Sequence, residues 1–181
     1  MVNSIIFDLD GTLYNETEVK VIAELATAKY ISTCSGLSVE SIYSSFRRLK
    51  SKITHIYKGL PEANDRQKWY YELLKELCIN NLRCKELSEF YWNTIYDNMK
   101  IFEDFEYILP ELQKNYNLYL MSDELISILK RKLECLRLND IFVKVFSAEE
   151  LGITKPNKIF FKHVIREINK LEKNIIIVGD N

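Results

Sequence analysis

Asp8 and Asp10, two acids one residue apart and followed by Gly11 and Thr12, are the residues whose types and spacing could do chemistry. Carboxylates this close repel one another unless a cation sits between or beside them. Mg²⁺ meets that need, because it takes one or two carboxylates and completes its shell with substrate phosphate oxygens and water. The apolar run Ile5-Ile6-Phe7 ahead of the acids, closed by a glycine turn, reads as a buried strand. The acids then stand at the carboxyl end of that strand, where open α/β sheets bind their ligands. Gly11 can take a positive φ and turn the chain sharply off the strand. A D-x-D-G quartet also occurs in calcium loops and in plain surface turns, so the pattern alone leaves those readings open.

The elements that must position these acids follow from the spacing of apolar residues. Residues 15 to about 100 read as four helices with short links, a small bundle. The first starts near Asn15, with Glu18 at capping-box spacing, and ends before Gly36. Ser38 caps the second, whose Ile42, Phe46, Leu49, Ile53 and Ile56 make one helical face. The third carries Trp69, Tyr70, Leu73, Leu74 and Leu77, and the fourth Leu87, Phe90, Tyr91, Thr94 and Ile95.

From Ile101 the chain alternates helix and strand. A helix over about 104–114 contains Pro110, which predicts a kink or a shorter helix. Leu118 to Met121 reads as a second strand closing on Ser122, followed by a helix through Leu125, Leu129, Leu133 and Leu136. Ile141 to Phe146 is the third strand. Gly152 turns the chain, and Pro156 is expected at the first position of a helix carrying Phe160, Val164 and Ile168. Ile175 to Val178 is the fourth strand, closing on Gly179-Asp180-Asn181. Strands alternating with helices imply an α/β class and a parallel sheet.

The run Phe7-Asp8-Leu9-Asp10-Gly11-Thr12-Leu13 resembles the first motif of the haloacid dehalogenase-like (HAD) hydrolase superfamily. The family's later motifs have candidates here in the same order: Ser122 closing a strand, Lys155 before Pro156, and Asp180 after the last apolar strand. The resemblance implies a Rossmann-like core, strand order 3-2-1-4, from residues 1–14 and 101–181, with a helical cap of residues 15–100. It implies Asp8 as the nucleophile that forms an aspartyl-phosphate and Asp10 as the general acid and base. Ser122 and Lys155 would contact the phosphoryl group. Asp8, the Asp10 carbonyl and Asp180 would ligate Mg²⁺. Family members acting on carbon carry a Tyr at position 10, so the acid there points to phosphoryl chemistry. Asp123 stands where many relatives carry Asn. An extra acid beside a phosphate is unfavourable, so Asp123 is expected to point away or to cap the next helix.

In the family a further acid and a fifth strand follow the position of Asp180, whereas this chain stops at Asn181. The expected consequences are loose metal binding, weak or no activity, and an edge strand, Ile175 to Val178, prone to pairing with another chain.

Composition excludes several function classes. The chain has 181 residues, 47% of them hydrophobic, with a formal net charge of −1. No global basic field points to nucleic acid, and no apolar run approaches the roughly 20 residues of a membrane span. The first strand begins almost at once, which leaves no signal peptide in this reading. Cys34, Cys78, Cys84 and Cys135 form no C-x-x-C pair, consistent with a reduced, cytoplasmic setting. With only His55 and His163, a histidine-rich metal site is not expected. The cationic stretch Arg47, Arg48, Lys50, Lys52, His55 and Lys58 is either a solvated helix face or a contact for an anionic substrate. The leading reading is a Mg²⁺-dependent phosphatase acting on a small phosphate ester such as a sugar phosphate or nucleotide. A phosphomutase using the same Asp8 and Asp10, and a non-catalytic binding protein that kept the fold, are the alternatives.

Overall fold

The computed structural model describes residues 2–150, 152–169 and 174–180. The elements are β1 (Ser4–Asp8), α1 (Glu16–Ser35), α2 (Val39–Ile56), α3 (Arg66–Glu76), α4 (Cys84–Asn98), α5 (Glu103–Gln113), β2 (Asn117–Ser122), α6 (Ile126–Cys135), β3 (Lys144–Ser147), α7 (Lys158–Asn169) and β4 (Ile175–Val178). The strands form one parallel sheet in the order β3-β2-β1-β4, as the resemblance implied. The chain divides into two compact units.

The sheet unit holds residues 1–16, 59–61 and 99–181. β1 is buried along its whole length, as an inner strand of a parallel sheet covered on both faces must be. Alternate residues point to opposite faces. Ile6, Tyr119 and Met121 share a core with Phe146 and with Phe160, Val164 and Ile168 of α7. Phe7 points the other way and meets Phe105 of α5 edge-on at 6.1 Å. Just past β1 the backbone is pinned where it leaves this unit and where it returns. Tyr14 forms an antiparallel bridge with Ile101, and the Phe102 N–H donates to the Leu13 carbonyl at 2.9 Å.

The helical unit holds residues 17–58 and 62–98. Its core is aromatic, with Phe46 stacked on Tyr70 at 5.4 Å and edge-on to Trp69 at 6.0 Å. The Arg66 guanidinium is buried over Trp69 at 4.2 Å, where a delocalised cation finds the ring's negative face. Ser38 caps α2 as expected, its hydroxyl accepting from the Ser41 N–H. Residues 59–61, a link between helices within the 15–100 stretch, group with the sheet unit. There the Thr154 N–H donates to the Gly59 carbonyl at 3.2 Å.

Two local expectations, on β3 and on Pro156, are corrected. β3 starts at Lys144, because Ile141 closes a turn onto Leu138 and Phe142 packs against Phe7. Pro156 is not at the start of α7. It lies in a turn after a cis Lys155–Pro156 bond, and Asn157 takes the capping role through an Ile159 N–H to Oδ1 bond of 2.9 Å. α5 runs through Pro110 unbroken as far as Gln113. With so little helix beyond the proline, one missing N–H is tolerated.

Candidate active site

Parallel strands in register bring their carboxyl ends to one edge of the sheet, and the chemistry-bearing residues collect there. Asp8 ends β1 opposite Met121, and Ser122 ends β2 opposite Ser147. Gly179 follows β4, and a Cβ placed on it would lie 3.4 Å from that of Asp8. Asp180 therefore lies at the same edge as Asp8. Its carboxylate packs against Gly11, where φ is +81° and a Cβ would meet Asp180 Oδ2 at 2.5 Å. Only glycine leaves room for that carboxylate.

Each of the two acids that open the site has its own lysine. Asp8 is 5% exposed; its Oδ2 lies 2.6 Å from Lys155 Nζ and its Oδ1 accepts the Leu9 N–H at 2.8 Å. Burial raises the Asp8 carboxyl above the usual carboxylate range, Lys155 opposes that rise, and Asp10 adds to it. Asp10 turns instead to Lys132, whose Nζ lies 2.5 Å from Oδ1. The Tyr14 hydroxyl donates to the same oxygen at 2.5 Å, and Ser122 Oγ donates to Oδ2 at 3.3 Å. The Ser122 hydroxyl, expected to face a phosphate, is thus directed at Asp10 in this structure.

Asp123 corrects an expectation. It neither points away nor caps α6, whose cap position is Leu125. Its Oδ1 accepts the Lys155 N–H at 2.8 Å. It lines a cavity of about 340 Å³ together with Asp8, Lys155, Pro156 and Gly179. An unpaired N–H in the Lys155 loop is costly at a part-buried position, and the Asp123 carboxylate is the acceptor that meets it. Burial raises the Asp123 carboxyl as well, with Lys155 opposing.

Lys132, Tyr14 and Glu124 escaped the sequence analysis. Lys132 is 1% exposed and also bonds Glu124 Oε1 at 3.2 Å. Burial alone would depress its ammonium, but the Asp10 and Glu124 carboxylates outweigh burial and hold it above the usual lysine range. One signal could have found it. Lys132 sits three residues after Leu129 and four before Leu136, inside the apolar stripe of α6. A lysine there is buried and must be paired.

The donor set suits a hard divalent cation. Asp8 and Asp180 bring carboxylate oxygens to this edge, the ligand type that Mg²⁺ takes, and the acids here outnumber the two lysines. Asp10, Glu16 and Glu124 also bring oxygens within 4.8 Å of one another. There the Lys132 ammonium, bound to Asp10 and Glu124, already offsets the negative charge.

In the helical unit, Arg47, Lys50, His55 and Lys58 line a second cavity of about 550 Å³ with Glu24. Lys50 pairs with Glu24 at 2.6 Å. Arg47 on α2 and Lys58 just past its end, at opposite ends of the cationic stretch, thus line one cavity. No described helix is long and apolar enough to cross a membrane, and all four cysteines are free thiols.

Comparison with known proteins gives the same outline. The family described as haloacid dehalogenase-like hydrolase matches residues 5–181. Ribulose-1,5-bisphosphate 5-phosphatase of Halopiger xanaduensis is 23% identical over 186 aligned positions, covering 100% of this chain and 77% of that protein. Glyceraldehyde 3-phosphate phosphatase of Methanocaldococcus jannaschii is 25% identical over 186 positions, covering 99% of this chain and 77% of that protein. Among solved structures, the HAD-hydrolase YfnB of Bacillus subtilis, bound to magnesium, superposes with a TM-score of 0.72 at 17% identity. That match covers 99% of this chain and 80% of the other. Haloacid dehalogenases share the fold too.

Proposed function

The chain belongs to the haloacid dehalogenase-like hydrolase family, and within it we propose that the protein is a Mg²⁺-dependent phosphatase of small phosphate esters working through an aspartyl-phosphate. The observation that carries this reading is the Asp8–Lys155 pair at 2.6 Å, on a sheet edge shared with Asp180. The phosphatase names of the curated relatives support the substrate class. Asp10 in place of the Tyr of carbon-directed relatives supports phosphoryl rather than dehalogenase chemistry.

In this reading the Asp8 carboxylate attacks phosphorus as the bond to the leaving oxygen breaks, and Asp10 protonates that oxygen. Asp10 then takes a proton from the water that attacks the aspartyl-phosphate, which frees Asp8 and releases phosphate. Lys155 keeps Asp8 oriented and offsets phosphoryl charge. Asp8, the Asp10 carbonyl and Asp180 would hold Mg²⁺, which supplies charge neutralisation between two anions. Ser122 is assigned to the phosphoryl oxygens once substrate competes for its hydroxyl. The helical residues 15–100 take the cap role, and the cationic cavity among Arg47, Lys50, His55 and Lys58 supports an anionic substrate.

The test is phosphate release from a panel of sugar phosphates and nucleotides, with Mg²⁺ and after EDTA, for the wild type and Asp8→Asn. Mg²⁺-dependent release by the wild type alone is expected. Equal release by Asp8→Asn would overturn the nucleophile, and undiminished release after EDTA would overturn the metal. Transfer of the phosphoryl group within a sugar without free phosphate would identify a phosphomutase.

A further inference from the structure

The polar side of α2 builds a cavity within the helical unit. Ile42, Phe46, Leu49 and Ile53 are the buried face of that helix. Arg47, Lys50, Ser51, Thr54 and His55, with Lys58 just past the helix end, recur at steps of three and four residues, and together they line the cavity of about 550 Å³. That volume lies in the range of small-molecule sites. Glu24 of α1 completes the lining, so every residue of it belongs to the helical unit.

The charges around this cavity do not cancel. Glu24 is 5% exposed, and a carboxylate so buried needs a partner. Lys50 supplies it at 2.6 Å, and Lys50 Nζ also lies 5.4 Å from the centre of the Trp69 ring of α3. The charge of Lys50 is thus committed to Glu24. Arg48, next to Arg47 in the chain, pairs with Glu76. Arg47 and Lys58 form no ion pair among the described residues. Two cations are left facing one cavity, and its walls focus their field on whatever enters.

The lining also selects the kind of anion. A phosphate monoester carries close to two negative charges and three acceptor oxygens near neutral pH, which matches two cations where a carboxylate would match one. Arginine suits it further through the planar fork of its guanidinium. The body of the ligand meets the Ser51 and Thr54 hydroxyls and the His55 imidazole. No aliphatic side chain lines the cavity, and no Phe, Tyr or Trp. A nucleotide base would find no stacking platform of that kind, whereas the hydroxyls of a sugar find hydrogen-bond partners.

We propose that this cavity is a binding site for a phosphorylated sugar, its phosphate drawn by Arg47 and Lys58 and its hydroxyls met by Ser51, Thr54 and His55. The proposal goes beyond the phosphatase reading, because none of these residues takes part in the chemistry assigned to Asp8, Asp10 and Lys155.

The experiment exploits the two histidines of the chain, His55 and His163. His55 lines the cavity, while His163 stands edge-on to Phe146 in the sheet unit at 6.5 Å. Ribose 5-phosphate is titrated into the full chain in EDTA, and the ring signals of both histidines are followed by NMR, with His163→Gln to assign them. The His55 signal is expected to shift and saturate while the His163 signal stays. Arg47→Gln with Lys58→Gln should weaken the apparent Kd by about ten-fold or more, the scale of lost charge-assisted bonds. Lys29→Gln with Lys52→Gln removes the same charge from exposed helical positions outside the cavity and should leave Kd within about two-fold. All four of these side chains are exposed, so both double variants are expected to keep the fold. Equal weakening in the two double variants, or a His55 signal unmoved at millimolar ligand, overturns the proposal. Ribose without phosphate should leave His55 unmoved; an equal response to it would remove the phosphate from the recognition. AMP, which shares the ribose 5-phosphate group, should bind no tighter; an affinity about ten-fold higher would mean that the base is held and would overturn the sugar assignment. If the protein hydrolyses no phosphate ester, the phosphatase reading fails while the His55 titration still decides the site. If it hydrolyses them and His55 never responds, the site alone fails.

Discussion

Replacing Gly11 by alanine tests the metal edge with a single methyl group. Two effects add at this position. The backbone sits at φ +81°, a conformation that costs an L-residue about 1–2 kcal/mol. The new Cβ would also stand 2.5 Å from Asp180 Oδ2 and 3.0 Å from its Cγ, so the carboxylate must retreat by about 1 Å to regain ordinary contact, and a displacement of that size can cost 10²-fold in rate. Gly36 supplies the control. Its φ is +74° and nothing lies within 4 Å of its would-be Cβ, so Gly36→Ala carries the backbone cost alone. In a chain this long, about 1–2 kcal/mol lowers Tm by about 2–8 °C, and both variants are expected in that range by thermal denaturation without metal. They should then diverge. Gly36→Ala keeps Mg²⁺ affinity by calorimetry and phosphate release, whereas Gly11→Ala loses about 10²-fold in kcat with weakened Mg²⁺ binding. Equal Mg²⁺ affinity and equal kcat in the two variants would refute the placing of Asp180 among the metal ligands.

Asp8→Asn should abolish phosphate release yet raise Tm at pH 7 in the absence of metal. Burial holds the Asp8 carboxyl above its ordinary value, so the folded state binds that proton more tightly and its ionisation costs stability. The cost is full above the raised pKa and absent below the unfolded value of about 3.9. The Tm advantage of the variant should therefore shrink as pH falls through that window, and an advantage that grows toward acid would contradict it. Asp123→Ala strands the Lys155 N–H and should cost about 1–3 kcal/mol in denaturant titration. Asp123→Asn keeps an acceptor, so it should retain most of that stability; equal losses in the two variants would dissolve the anchoring role.

The sequence by itself determined what depends on short stretches of chain. Apolar runs ending in Asp8, Ser122 and Asp180 announced three strands and put those residues at strand ends. Because parallel strands align their carboxyl ends, that was enough to gather the three residues at one edge. The four helices were legible for the same reason, since a helical face is written at intervals of three and four residues. The strand order came with the family resemblance. Tertiary structure decided which partner each charged group takes. Lys132 meets Asp10 across 122 positions, and Asp123 meets the Lys155 N–H across 32. Neither spacing carries a periodic signal. Phe142 left the expected β3 because its best packing was against Phe7, a residue far away in sequence. Pro156 lost the helix start to Asn157, whose side chain could accept a backbone N–H. Local patterns record which surface a residue buries, whereas the direction of a charge or a ring is settled only when distant elements compete for it in a packed interior.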